Sequence, residues 1–287
     1  MQNYELLEFY KSYPVNHWCE KLALLKNYID NYDSVKETLQ KGLMDVDDEK
    51  YIKMLKAEIH FTYFQMIEAL FELIFAVEKR DDKNLWYYLS FSSWKKNYKR
   101  IETIAKGNTS FLHNLIDIGN NQKIQFIIYV FYFSLNPHIT ESEMKKNLEV
   151  IENAIRYFAR DFNDREEYNA YKHTLRFFQS PVKLTFYNEE TRVAFYQSRA
   201  ENTFTILEKD EKKQLISVTK AFNPDRDFDM GMICYQLILN IIITRKLYFF
   251  KSKEPEPIHY FHKYDLLTIN SPKDNLIRTT KTVFWEK

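Results

Sequence analysis

The chain has 287 residues, with 41 basic and 40 acidic side chains and a net charge of +1, so it has room for one large domain or two small ones and lacks the basic excess that draws a whole protein to a polyanion. Four glycines fall far below the usual ~7% and argue against a Rossmann or P-loop site, and neither GxGxxG nor GxxxxGK[ST] occurs. Two distant cysteines, Cys19 and Cys234, exclude a disulfide framework, and "MQNYELLEFYKSYP" has no secretion-signal pattern, so we expect a cytoplasmic protein.

Spacing predicts a first helix over 17–41, capped by Asn16, with Trp18, Leu22, Leu25, Ile29 and Tyr32 on one stripe and Gly42 closing it. A longer helix follows over 47–79. One face carries Leu55, Ile59, Tyr63, Leu70, Ile74 and Val77; a second carries Phe61, Phe64, Glu68, Phe71 and Phe75, which makes it a central helix. Residues 85–105 read as a third helix ending at Gly107, and 122–135 as a short apolar helix. Thr140 and Glu143 form a capping box before Met144, Leu148, Ile151, Ile155, Phe158 and Phe162, a stripe of the bundle type. The helix containing "YNAYKH" stops before Pro181.

Beyond Pro181 the period changes to two. "VKLTFY" (182–187), "TFTIL" (203–207) and "QLISVTKAF" (214–222) predict two strand pairs or a three-stranded sheet. "NPDRDFD" then signals a turn and helix cap, and 227–250 a last helix that is apolar nearly all round. The expected architecture is mainly α: one domain over 1–287, with a helical bundle (1–180), a β insertion (181–225), a core helix (226–252) and an irregular tail (253–287). The apolar runs 124–135 and 230–243 are each shorter than the ~20 residues a membrane span needs, so no membrane association is expected.

Chemistry concentrates in "DREEYNAYKHTLRFF" (164–178). On a helix, Arg165, Asn169, His173 and Arg176 share one face. Glu68, ringed by phenylalanines, is the carboxylate such a face would neutralise. One reading is a buried polar network that fixes helix register. The other is a site with His173 as general acid or base and the arginines stabilising an anionic transition state. A second candidate is "SSWKKNYKRIETIAK", where Lys95, Lys96, Lys99 and Arg100 share a helix side with Trp94 and Tyr98 interleaved. Cations and rings together can hold a phosphate backbone and stack bases; the alternative is a solvated face with its aromatics turned inward. No helix carries the Glu-x-x-His of di-iron bundles, Pro257 makes Glu256-Pro-Ile-His259 a loop, and His259 with His262 is too sparse a set, so no metal or cofactor is expected. Neither cysteine has a histidine placed to activate it, and no GxSxG occurs.

Two stretches, "FQMIEALFELIFA" (64–76) and "EYNAYKHTLRFF" (167–178), resemble uncharacterised bacterial helical proteins and, through them, the HEPN superfamily. The resemblance implies a helical bundle that dimerises, and an activity that is either ribonucleolytic, of the defence or toxin type, or absent. HEPN ribonucleases carry an arginine and a histidine separated by four to six residues; seven separate Arg165 from His173. On the catalytic branch the resemblance implies metal-independent RNA cleavage by His173 and Arg165, supported by Asn169 and Arg176. The leading expectation is a non-catalytic, self-associating interaction protein, and the alternative is that ribonuclease.

Overall fold

The apolar stripes form the helices they predict, and the departures fall where short polar residues compete with the backbone. The computed structural model describes residues 8–40, 47–133, 135, 139–172, 177–179, 182–187, 194–200, 202–209, 215–251, 258–266 and 280–283. The protein is mainly helical with a β insertion before the last long helix. The chain groups into two compact units, each drawn from separate stretches, where the sequence suggests one domain. Unit one is Met1–Glu20, Phe64–Asp164 and Met230–Ile269; unit two is Lys21–Tyr63, Arg165–Asp229 and Asn270–Lys287.

The predicted first helix is two, His17–Asp30 and Tyr32–Gln40. At the junction the Asn31 amide donates to the Asn27 carbonyl and side chain (3.2 and 2.8 Å), and the Asn31 carbonyl accepts from the Ser34 hydroxyl. Such local bonds offer the backbone an alternative to continuing the helix. Gly42 lies outside the described residues. Helix Asp48–Val77 matches its prediction, and both of its apolar faces are buried. The predicted helix over 85–105 is also two, Leu85–Ser90 and Trp94–Ala105, separated where Ser93 adopts an extended conformation (φ −96°, ψ 102°).

Residues 122–135 hold less helix than expected. Leu115–Asp117 pairs antiparallel with Lys123–Gln125, and the helix is confined to Phe126–Phe131. The hairpin turn runs through Gly119, Asn120 and Asn121, all at positive φ, a region glycine and asparagine enter most readily. Gly119 therefore closes a hairpin rather than a helix. Gly107, at φ 97°, does follow a helix, and its amide donates to the Ile104 carbonyl.

In unit one, helix Trp94–Ala105 packs on helix Glu141–Asn163. Thr140 and Glu143 complete the capping box reciprocally. Ile101, Ile104, Ile151, Ile155, Phe158 and Phe162 are buried in this unit, as are Leu70 and Ile74. A polar centre lies within it. Arg245 is fully buried and donates from Nε to Asp82 Oδ1 at 2.5 Å; its other nitrogens donate to the carbonyls of Val130, Ile241 and Tyr129. Asp82 also accepts from the Tyr129 hydroxyl, and the Asp82 carbonyl accepts from the Tyr10 hydroxyl at 2.6 Å. The chain after the last helix is anchored too. The Asn240 amide holds the His259 main chain in both directions (2.8 and 2.9 Å), and Tyr132 stacks on Tyr260.

In unit two, four antiparallel strands run in the order Phe177–Gln179, Thr203–Lys209, Leu215–Ala221, Thr280–Val283, and a separate pair joins Val182–Tyr187 to Ala194–Ala200. Strand Thr280–Val283 places regular structure in the tail expected to be irregular. Ala170, Phe204, Ile206, Ile216 and Val218 form the core over the larger sheet. The last helix is Pro224–Phe250; the Asn223 side chain accepts from the amides of Asp225 and Arg226, with Pro224 in the first turn. Two helices, Asp48–Val77 and Pro224–Phe250, are long and apolar enough to cross a membrane by composition, but 78% and 61% of those apolar windows are buried inside the protein.

Candidate functional site

Unit two contains a chain of alternating charges. Alternation along strand 215–221 puts Ile216, Val218 and Lys220 on one buried face, so the lysine ammonium ends inside the protein and needs a carboxylate. Glu167, on helix Glu166–Lys172, supplies it at 2.9 Å, with Glu166 3.5 Å away. Glu167 lies 3.7 Å from Nε2 of His60, on helix 48–77, and His60 Nδ1 lies 2.6 Å from Asp227 Oδ2. Asp227 accepts from Arg226 at 3.0 Å, and that guanidinium lies over the Tyr63 ring. All five charged residues are buried. Phe204 and Phe222 flank the imidazole at 5.4 and 5.1 Å between ring centroids. Burial, the largest influence, pushes the imidazole pKa down; Asp227 and then Glu167 outweigh it and raise the value from 6.5 to about 9. The ring is held as a cation between two carboxylates in an aromatic wall. The charges of this line are taken up by one another across helix 48–77, helix Glu166–Lys172, strand 215–221 and the last helix.

Of the sequence-predicted stripe, Arg165 is buried but precedes its helix, where its carbonyl accepts from the Asn169 amide. Asn169 is half-buried. His173 and Arg176 lie outside the described residues. Glu167 and Tyr171 of this segment reach helix 48–77 within unit two. Tyr171 stacks on Phe61 at 4.0 Å and donates to Glu58, which also accepts from Lys21. Glu68 belongs to unit one and is half-buried, so its ring of phenylalanines does not seal it from water. It borders a recess of about 10 Å³ with Phe71, Trp94, Tyr98 and Phe162, room for one water molecule at most.

The second predicted candidate, the basic helix, presents a surface. At ~100° per residue, Lys95, Lys96 and Lys99 form the outward stripe of helix Trp94–Ala105. Trp94 and Tyr98 stack on each other along one flank (5.8 Å, 10° between planes). The other flank borders a groove of about 340 Å³. Phe75, Ala76 and Phe91 line it with apolar surface; Glu72, Lys79, Ser92, Lys96, Asn97 and Arg100 add polar groups. Arg100 is committed to the fold: it pairs with both carboxylate oxygens of Glu78 (2.7 and 2.9 Å) and stacks on Phe75 at 3.9 Å. The lysines are not committed. Among the described residues Lys79, Lys95, Lys96 and Lys99 make no ion pair within 4 Å, as is also true of Lys56, Lys83 and Lys123, and Lys106, helped by the Lys99 charge, holds the Glu102 carboxyl below its ordinary value. The aromatics around them face water. Phe91 is 73% exposed, and Trp86, Tyr87 and Trp94 are each about half exposed.

The remaining candidates fall inside the structure. Cys234 is fully buried, and burial raises its thiol pKa well above normal; Cys19 is raised by burial and then by Glu20. Neither is held as a thiolate. The His259 main chain is clamped by Asn240, and the His262 ring lies 3.9 Å from Glu143. Comparison of the chain with protein-family models, curated proteins and solved structures finds no match. The resemblance to the HEPN superfamily therefore rests on its two sequence stretches alone.

Proposed function

We propose that this chain is a non-catalytic interaction protein whose contact surface is the aromatic and lysine-rich face of residues 86–99. One observation carries the reading: four large aromatics exposed by about half or more fall within nine consecutive residues, beside the exposed lysines Lys95, Lys96 and Lys99. Water-exposed rings at this density mark recognition surfaces, because isolated folding gains nothing by leaving them uncovered. The buried His60 and Arg245 centres support the same reading, since their charges are consumed in holding elements together. The face serves either a second copy of this chain or another ligand.

The test compares wild type with Phe91→Asp by sedimentation, alone and with added ligand, after matching their thermal melts. Wild type is expected to associate and the variant to lose that association. Association that survives Phe91→Asp, or a wild type that binds nothing, overturns the reading.

A further inference from the structure

We infer that the ligand of this face is a single-stranded nucleic acid, its phosphates on the Lys95–Lys96–Lys99 stripe and its bases against the rings on either flank. This rests on the reading of residues 86–99 as the contact surface. Three observations choose among occupants.

The first is the order of chemistry across the face. Protein-binding surfaces place aromatics at a dry centre and charge at the rim, and lysine is depleted from them. Here the order is reversed. Lysines occupy the middle of the helix face, with the Trp94–Tyr98 stack on one side and Phe91 on the other. A single strand has the matching cross-section, a charged backbone from which π-faces project.

The second is the availability of ring faces. A duplex keeps its bases stacked inside and offers phosphate alone, so rings exposed like Phe91 and Trp94 would stay wet against it. A strand with unpaired bases covers them.

The third is shape. Lysines with tryptophan and tyrosine also suit an anionic bilayer, but a bilayer surface has nothing to fill a concave groove. At about 340 Å³, the groove has an apolar floor and, beside the Ser92 hydroxyl that donates to Glu72 at 3.1 Å, the Asn97 amide, whose nitrogen has no hydrogen-bond partner among the described residues and suits a base edge. Glu72 repels phosphate, which keeps the backbone on the lysine side. The whole-chain charge of +1 means that attraction is local and short-ranged, so affinity should be modest and strongly dependent on salt.

The experiment uses full-length protein with fluorescent oligouridylate and oligothymidylate, a duplex of equal length, and phosphatidylserine vesicles. Anisotropy and tryptophan quenching are the readouts. Both single strands should bind, with Trp94 quenched. With three phosphate contacts, at Lys95, Lys96 and Lys99, log K should fall against log salt with a slope of about −2. Lys95→Gln/Lys96→Gln/Lys99→Gln should flatten that slope by about two. Phe91→Ala and Trp94→Ala should each weaken binding by roughly tenfold with the slope unchanged. Preference for one of the two strands identifies RNA or DNA as the source. No single-strand binding at low salt, equal binding of duplex, binding that all three variants keep, or binding to vesicles alone each overturns the inference. Self-association abolished by Phe91→Asp, with no oligonucleotide bound, overturns this inference and leaves the contact-surface reading intact. Absence of every association removes both.

Discussion

His60 gives unit two a measurable dependence on pH. The imidazole lies between Asp227 at 2.6 Å and Glu167 at 3.7 Å, with Arg226 and Lys220 completing the line and the exposed Glu166 near Lys220. Its folded pKa of about 9 exceeds the 6.5 of a free imidazole. A group whose pKa rises on folding stabilises fully below its unfolded value and loses that contribution as pH climbs through the folded value. The window is therefore pH 6.5 to 9, with stability falling as pH rises. At 1.36 kcal/mol per pKa unit, the contribution at the acid end is about 3 kcal/mol. His60→Gln keeps polarity and removes titration. In urea unfolding, wild type should exceed the variant by about that amount at pH 6.5, and the difference should shrink toward zero at and above pH 9. Taking the difference cancels tyrosines and lysines that titrate in both proteins. Histidine NMR gives a second readout, a His60 midpoint well above the others. A difference that stays constant from pH 6.5 to 9, or a midpoint at or below 6.5, refutes the reasoning.

Other buried groups have equally definite consequences. Asp82→Ala leaves the Arg245 guanidinium uncompensated in the core of unit one and should cost about 3–5 kcal/mol in urea melts, with part recovered when Arg245→Met is added. Thr140→Ala removes the capping box of helix Glu141–Asn163 and should cost about 1 kcal/mol, whereas Thr140→Ser should cost little. In thiol titration at mildly alkaline pH, Cys234 should stay unreactive until the protein is unfolded, because its environment is dry and disfavours the thiolate.

Much of the fold was written in local signals. The two-faced stripe of residues 47–79, the Thr140–Glu143 box and the Asn223–Pro224 cap each act within one or two turns, so the sequence displays them directly. Breaks at Asn31 and Ser92–Ser93 were harder to see, because the apolar period continues through both and only short polar side chains interrupt it. The hairpin at 115–125 had a cue in Gly119-Asn120-Asn121, overshadowed by the apolar run that follows. Strand Thr280–Val283 forms against a partner about sixty residues earlier, a pairing no local pattern announces. The polar centres were least legible. Glu68 stood out among phenylalanines yet is half-buried, while His60, between Ile59 and Phe61, offered only its own polarity as a cue. Its partner Asp227 is 167 residues away. Conversely, the lysines and tryptophan of 94–100 were visible at once, since exposure needs no partner; what the sequence left open was which way the rings face.

That contrast bears on how fold and recognition separate in this protein. Within each unit, the charges that tie its elements together are buried, and most span long sequence separations: His60 with Asp227, Asp82 with Arg245. The proposed contact residues share none of those bonds. Replacing Lys95, Lys96 or Lys99 should therefore leave stability within about 0.5 kcal/mol of wild type. Arg100 sits one step around the same helix and should behave differently. Its bidentate pair with Glu78 is partly exposed and contributes little alone, but its guanidinium also covers Phe75 at 3.9 Å, so Arg100→Ala loses packing as well as charge. We expect about 1 kcal/mol of destabilisation in melts for Arg100→Ala and an unchanged salt slope of binding, since its charge is already neutralised by Glu78. Were Arg100→Ala to leave the melt intact and flatten the slope as a lysine substitution does, the guanidinium would belong to the ligand site rather than to the fold.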